Sequence, residues 1–157
     1  MNLIRSDTHQ CSAAAFAMVL GIGLEDMCNL LGHNGLQRIN PLPEPYCFRG
    51  FHPAEFIDCL LRKSLSVTMI EVEPKMIHGH LVQDHSEFLG TQRFYNALRY
   101  GDGVILGAVN HTGHAVAWDS KSQKVYDPRG FIYDLESDIW NFKPLQFLLV
   151  KEINNGS

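Results

Sequence analysis

The sequence has no CxxC pair, no lysine- or arginine-rich run and no glycine-rich phosphate loop, and none of its apolar runs near the start is long enough to cross a bilayer. Each absence excludes a class of function. The four cysteines, Cys11, Cys28, Cys47 and Cys59, are widely and irregularly spaced, which excludes a zinc knuckle and a thioredoxin-type motif. Four cysteines in 157 residues do not make a disulfide scaffold, so free thiols in a reducing, cytoplasmic setting are expected. Cys28 and Cys59 lie among apolar neighbours and read as core residues. A net charge of -4 and a pI near 6.0 leave no basic face for nucleic acid. Ala13–Leu20 is too short for a membrane span, and it follows Asp7-Thr8-His9-Gln10 rather than a basic flank. Neither a membrane association nor a signal peptide is expected. With no P-loop and no dinucleotide fingerprint, no cofactor is expected either.

What is present is an ordinary globular composition, 45% hydrophobic and 19% charged. The length suits one domain over residues 1–157. The Ala-rich run Cys11–Leu20 stops at Gly21 and reads as a buried helix, and Leu24–Leu31 reads as a second helix ending at Gly32. Three prolines make Asn40–Pro45 a loop. Pro53 opens a helix over Pro53–Lys63 with Phe56, Ile57, Leu60 and Leu61 on one face. Ser66–Val72 is β-rich, Met76–Gly90 reads as loop, and Thr91–Arg99 reads as a helix. From Gly103 the pattern changes to strands, at Val104–Val109, His114–Trp118, Gln123–Tyr126 and Leu145–Ile153, with a short helical turn around Trp140. Helices first and antiparallel strands second is the α+β pattern.

Cys11 opens the Ala-rich helix. A helix N-terminus favours negative charge, so that position suits a nucleophilic thiolate, and its unpaired N–H groups suit an oxyanion. Taken alone, Cys11 reads first as a small buried residue capping a core helix, since free cysteine is among the most buried residue types. A thiol nucleophile also needs a base, and the base needs an acceptor to orient it. The segment Gly113–Gly130 reads as a hairpin, two β-rich runs joined by the polar stretch Asp119–Ser122. A turn centred between Ser120 and Lys121 pairs Trp118 with Gln123 and Val116 with Val125, and sets His114 directly opposite Asp127. Cross-strand Cβ atoms lie roughly 4.5–5.5 Å apart, which suits an imidazole–carboxylate hydrogen bond. A slip of one residue in this register breaks the pairing. His114 alone is a structural histidine and Asp127 alone a turn residue; their matched positions make them a base and its orienting acid. On this reading Asp127→Asn keeps the fold and loses activity.

Cys11-Ser12-Ala13-Ala14-Ala15-Phe16-Ala17-Met18-Val19-Leu20, followed far downstream by Gly113-His114-Ala115-Val116-Ala117-Trp118 and Val125-Tyr126-Asp127-Pro128, resembles the papain-like cysteine peptidases. The nearest likeness is to the C39-like, bacteriocin-processing group and related small bacterial and phage proteins. The resemblance covers both ends of the domain and matches residues 32–100 loosely. It implies a papain-like fold, with the nucleophile helix packed across an antiparallel sheet, and a Cys11–His114–Asp127 triad acting on a peptide or protein substrate. The family carries a glutamine several residues ahead of the cysteine as oxyanion donor, where this chain has Arg5, and a glycine after it, where this chain has Ser12. Gln10, directly before Cys11, is one candidate for the donor; the backbone N–H of Cys11 with another side chain is the other.

His78-Gly79-His80 with His85 supplies imidazoles of the type that bind zinc. Pro74, Gly79 and Gly90 make that segment loop-like, and no cysteine or carboxylate spacing completes a familiar set, so loop histidines and no metal are expected. His111 is expected in a turn. The functional expectation is a cysteine-dependent peptidase or isopeptidase. The alternatives are an acyl transferase or deamidase using the same triad, and an inactive papain-like binding module.

Overall fold

The structure, a computed structural model, describes residues 1–44, 46–72, 76–77, 80–81 and 86–154. His78 and His85 lie outside the described residues, and of His80 only the backbone is described. The chain is α+β. Helices α1 (Cys11–Leu20), α2 (Leu24–Leu31) and α3 (Pro53–Arg62) come first, then strand β1 (Leu65–Glu71). A small two-stranded ladder, β2 (Met76–Ile77) with β3 (His80–Leu81), precedes helix α4 (Ser86–Ala97). Strands β4 (Gly103–Val109), β5 (Thr112–Asp119), β6 (Lys124–Asp127), β7 (Phe131–Tyr133) and β8 (Phe142–Glu152) complete it. The main sheet is antiparallel, in the order β1-β8-β4-β5-β6-β7.

Local chemistry accounts for the helix ends. Gly21 and Gly32 close α1 and α2 in the left-handed conformation, at φ 69° and 85°, where only a residue without Cβ sits without strain. At the start of α3, His52 Nδ1 accepts from the Ala54 N–H at 3.1 Å and Glu55 accepts from the His52 N–H at 2.7 Å, ahead of Pro53 in the first turn. Helix α4 starts five residues earlier than its apolar pattern predicts and takes in Gly90, part of the stretch expected to be loop. An interior glycine weakens a helix by only about 1 kcal/mol, which a helix of this length tolerates.

Strand alternation sorts the core onto the two faces of the sheet. Val104, Ala115, Ala117 and Leu148 pack with α1, α2 and α3. Ile105, Val116, Trp118, Phe147 and Leu149 pack on the other side with Phe94, Ala97 and Leu98 of the α4 region. Helix α1 explains its own alanines: Ala13, Ala14, Ala15 and Ala17 are fully buried, and small residues let the helix lie close on β4 and β5. No single helix among the described residues is long and apolar enough to cross a membrane.

Two turns set the geometry around the site. β4 and β5 are joined by Asn110 and His111, at φ 52° and 100°, with Val109 paired to Thr112. A two-residue hairpin of type I′ has positive φ at both positions. β5 and β6 are joined by Ser120–Gln123, with Ala117 paired to Tyr126, Trp118 to Val125 and Asp119 to Lys124. This is two residues away from the register expected from sequence. The turn is centred one residue later, because Asp119 stays in β5 and accepts from Lys121 N–H and Ser122 Oγ, while Gln123 takes φ 56° and leaves the strand. β7 follows β6 through Asp127–Gly130, and it was not expected from the sequence.

Candidate active site

Cys11, His114 and Asp127 come from three different elements. Cys11 begins α1, where a short 3-10 turn over Thr8–Gln10 runs straight into the helix. His114 lies near the start of β5 and Asp127 ends β6. Continuing the observed register puts Val116, not His114, opposite Asp127. His114 is therefore the diagonal neighbour of Asp127 rather than its direct partner. A two-residue shift preserves the face of the strand, and diagonal neighbours remain within reach of long side chains. His114 Nε2 meets Asp127 Oδ1 at 2.7 Å. The ring nitrogen facing a carboxylate is the donor, which leaves Nδ1 for the Cys11 thiol.

The N-terminal segment brings the cysteine to this pair. Ser6 N–H donates to the Pro128 carbonyl at 2.9 Å, and Arg5 lies against Gly130, where an added Cβ would meet its Nε at 2.9 Å. Cys11 and His114 then line one cavity of ≈ 280 Å³. Val109, Asn110, Thr112 and Gly113 contribute from the β4–β5 hairpin, Ser6, Asp7 and Thr8 from the segment before α1, and Arg129 from the turn after β6. A side chain placed on Gly113 would meet nothing within 4 Å.

Burial divides the three residues by task. Asp127 is 0% exposed, His114 7% and Cys11 9%. Asp127 accepts from His114, from the Arg129 backbone N–H at 2.9 Å, from Arg129 Nη2 at 2.8 Å and Nε at 3.1 Å, and from Tyr133 Oη at 2.6 Å. Burial alone would push this carboxyl up, but bonds from His114, Arg129 and Tyr133 outweigh it and hold the pKa well below the usual carboxylate range. Burial likewise disfavours a charged His114 ring. Hydrogen bonding and charge attraction from Asp127 and Cys11 win, and the imidazole is pushed up to about 9. The ring is thus protonated through neutral pH, between an ionised carboxylate and a sulfur.

Gln10 does not join this group. Its Nε2 donates to the Asn34 carbonyl at 3.0 Å, and it is not among the residues lining the cavity. The Cys11 N–H donates to the Thr8 carbonyl, which closes the 3-10 turn. Both oxyanion donors expected from the sequence are therefore engaged elsewhere. The Thr8 residue that turns the chain into α1 lines the cavity itself. Among the described residues no group of three His, Cys, Asp or Glu side chains is placed to hold a metal.

Arg129 and Tyr133 escape a sequence reading that looks for nucleophile, base and acid. The signal was the Asp127-Pro128-Arg129-Gly130 turn, in which an aspartate oxygen accepts the N–H two residues on and so brings that residue's side chain back alongside it. Compared with known proteins, the chain matches no protein-family model, and no curated protein matches it.

Proposed function

We propose that this protein is a cysteine-dependent hydrolase of papain-like fold, acting on amide bonds of a peptide or protein substrate. The observation that carries the proposal is the convergence of a helix-start cysteine and a histidine at one cavity, with the histidine bonded at 2.7 Å to a wholly buried carboxylate. Cys11, as a thiolate whose proton rests on His114, attacks the substrate carbonyl carbon as the C=O electron pair moves onto oxygen. The oxyanion pair then re-forms C=O as the C–N bond breaks and His114 gives its proton to the departing nitrogen, so the amine leaves and a thioester remains. A water then attacks the thioester and loses its proton to His114. The C–S bond breaks, releasing the acid and restoring the sulfur. Asp127 holds the ring in the tautomer and plane both steps need.

A second reading has its own support. The Gln10 amide bonds the Asn34 carbonyl away from the cavity and the Cys11 N–H bonds the Thr8 carbonyl, and oxyanion donors supply a large part of acyl-transfer catalysis. That favours a papain-like module that binds a partner without turning it over. Iodoacetamide labelling and a fluorogenic peptide library separate the two. The hydrolase reading expects Cys11 to be alkylated far faster than Cys28, Cys47 or Cys59, and expects Cys11→Ser to abolish turnover. Equal, slow labelling of all four thiols would defeat it. If an added amine rather than water ends up on the product, the chemistry is acyl transfer by the same triad.

A further inference from the structure

Arg129 has no part in the steps above, yet it lines the same cavity as Cys11 and His114. Its Nε contacts both Asp127 oxygens, at 3.2 and 3.1 Å, and its Nη2 lies 2.8 Å from Oδ2. Nη2 also donates to the Trp140 carbonyl at 3.0 Å. Trp140 is itself held by stacking on Phe131 and Tyr133, with ring centroids 4.0 and 5.5 Å away. Tyr133 Oη returns to Asp127 Oδ2 at 2.6 Å. The guanidinium is therefore braced through Nη2, which bonds the Trp140 carbonyl while Nε and Nη2 together grip the carboxylate.

An aspartate needs such a grip. The torsion that sets its carboxylate plane is soft, with broad wells. A planar guanidinium fork fixes that plane, where an ammonium supplies only a point charge. Arg129 Nη2 and Tyr133 Oη both bond Oδ2, while Oδ1 accepts from the Arg129 backbone N–H and Nε and from His114 Nε2. We propose that Arg129 is a positioning residue of the site: its fork, braced on the Trp140 carbonyl, locks the Asp127 carboxylate so that Oδ1 holds the His114 ring toward Cys11. The proposal rests on the reading of Cys11, His114 and Asp127 as a catalytic set.

Position and charge make opposite predictions for His114. The titratable and charged groups around the ring are Asp127 from β6, Cys11 from α1 and Arg129 from the β6–β7 turn, with Asp7 on the cavity wall before α1. If Arg129 acts only as a nearby cation, removing it makes the imidazolium easier to hold, and the His114 titration rises. If it holds the carboxylate in place, removing it lets Asp127 turn away, and the titration falls from about 9. The test is an NMR titration of ¹⁵N-histidine-labelled wild type, Arg129→Gln and Arg129→Lys, with Cys11 alkylation rates measured on the same samples. Both variants are expected to lower the His114 midpoint by about one pH unit or more and to slow Cys11 alkylation at neutral pH about tenfold. Arg129→Lys keeps a cation in the site, and it decides the question if Arg129→Gln does not fold. A midpoint that rises or stays put in the folded variant overturns the proposal, even if the protein melts lower. If instead wild-type Cys11 reacts no faster than it does in His114→Ala, the hydrolase reading fails, and the titration still reports separately on the clamp.

Discussion

Replacing Asp127 with asparagine removes one charge and alters no shape, and the structure makes its consequences specific. The carboxylate is fully buried and receives bonds from His114, Arg129 and Tyr133. An amide has one oxygen to accept with. Its NH₂ must face donors, either His114 Nε2 and the Arg129 N–H or Arg129 Nη2 and Tyr133 Oη. Two cationic groups lose the anion between them. Breaking a buried ion pair by removing one partner costs about 3–5 kcal/mol, and in a chain of this length 1 kcal/mol moves Tm by about 2–4 °C. Asp127→Asn is thus expected to lower Tm by roughly 6–20 °C while keeping the fold. The functional effect follows from His114. With Asp127 neutral, burial opposes the charged ring with only Cys11 to offset it, so the imidazole titration falls from about 9 toward or below its ordinary value. The ring is then largely neutral near pH 7, and Cys11 alkylation slows by roughly 10²-fold, less than the about 10⁴-fold loss seen in kcat for the equivalent change in a serine protease. Differential scanning calorimetry, a histidine NMR titration and the iodoacetamide rate measure the three quantities. A variant that melts within about 1 °C of wild type while His114 still titrates near 9 refutes the account of Asp127 as both charge partner and hub.

Two further outcomes follow from the same geometry. Gly113→Val projects an isopropyl group into open space on the cavity wall, so Tm is expected to stay within about 2 °C while kcat/KM for a peptide substrate, or the rate with a bulky thiol probe, falls at least about tenfold; unchanged kinetics in a folded variant would mean that substrate does not enter here. Stability is expected to depend on pH through His114. A folded-state pKa raised to about 9 contributes stability that is complete below the unfolded value near 6.5 and is lost as pH rises through 9. Urea midpoints should therefore fall between about pH 6.5 and about pH 9 in wild type, and far less in His114→Ala. Equal slopes for the two proteins would show that the ring is not the titrating group.

Local chemistry alone determined the first three helices and the three residues worth testing. Gly21 and Gly32 end α1 and α2 and Pro53 starts α3, because backbone conformation at such positions depends on the residue itself. The cysteine at a helix start and the His and Asp on flanking strands are likewise readable from pattern, and strand alternation kept them on one face despite a register error of two residues. The exact pairing was decided by Asp119, whose side chain caps the turn and moves its centre. A three-residue strand such as β7 carries too short a pattern to read, and it forms because β6 offers it an edge. Whether Gln10 points at the thiol depended on a carbonyl 24 residues away, Asn34. The grip of Arg129 and Tyr133 on Asp127 depended on how β6, β7 and the turn before β8 come together. Contacts between distant segments are set by packing rather than by local preference, so the hydrogen bonds that tune His114 exist only once the sheet has closed around them.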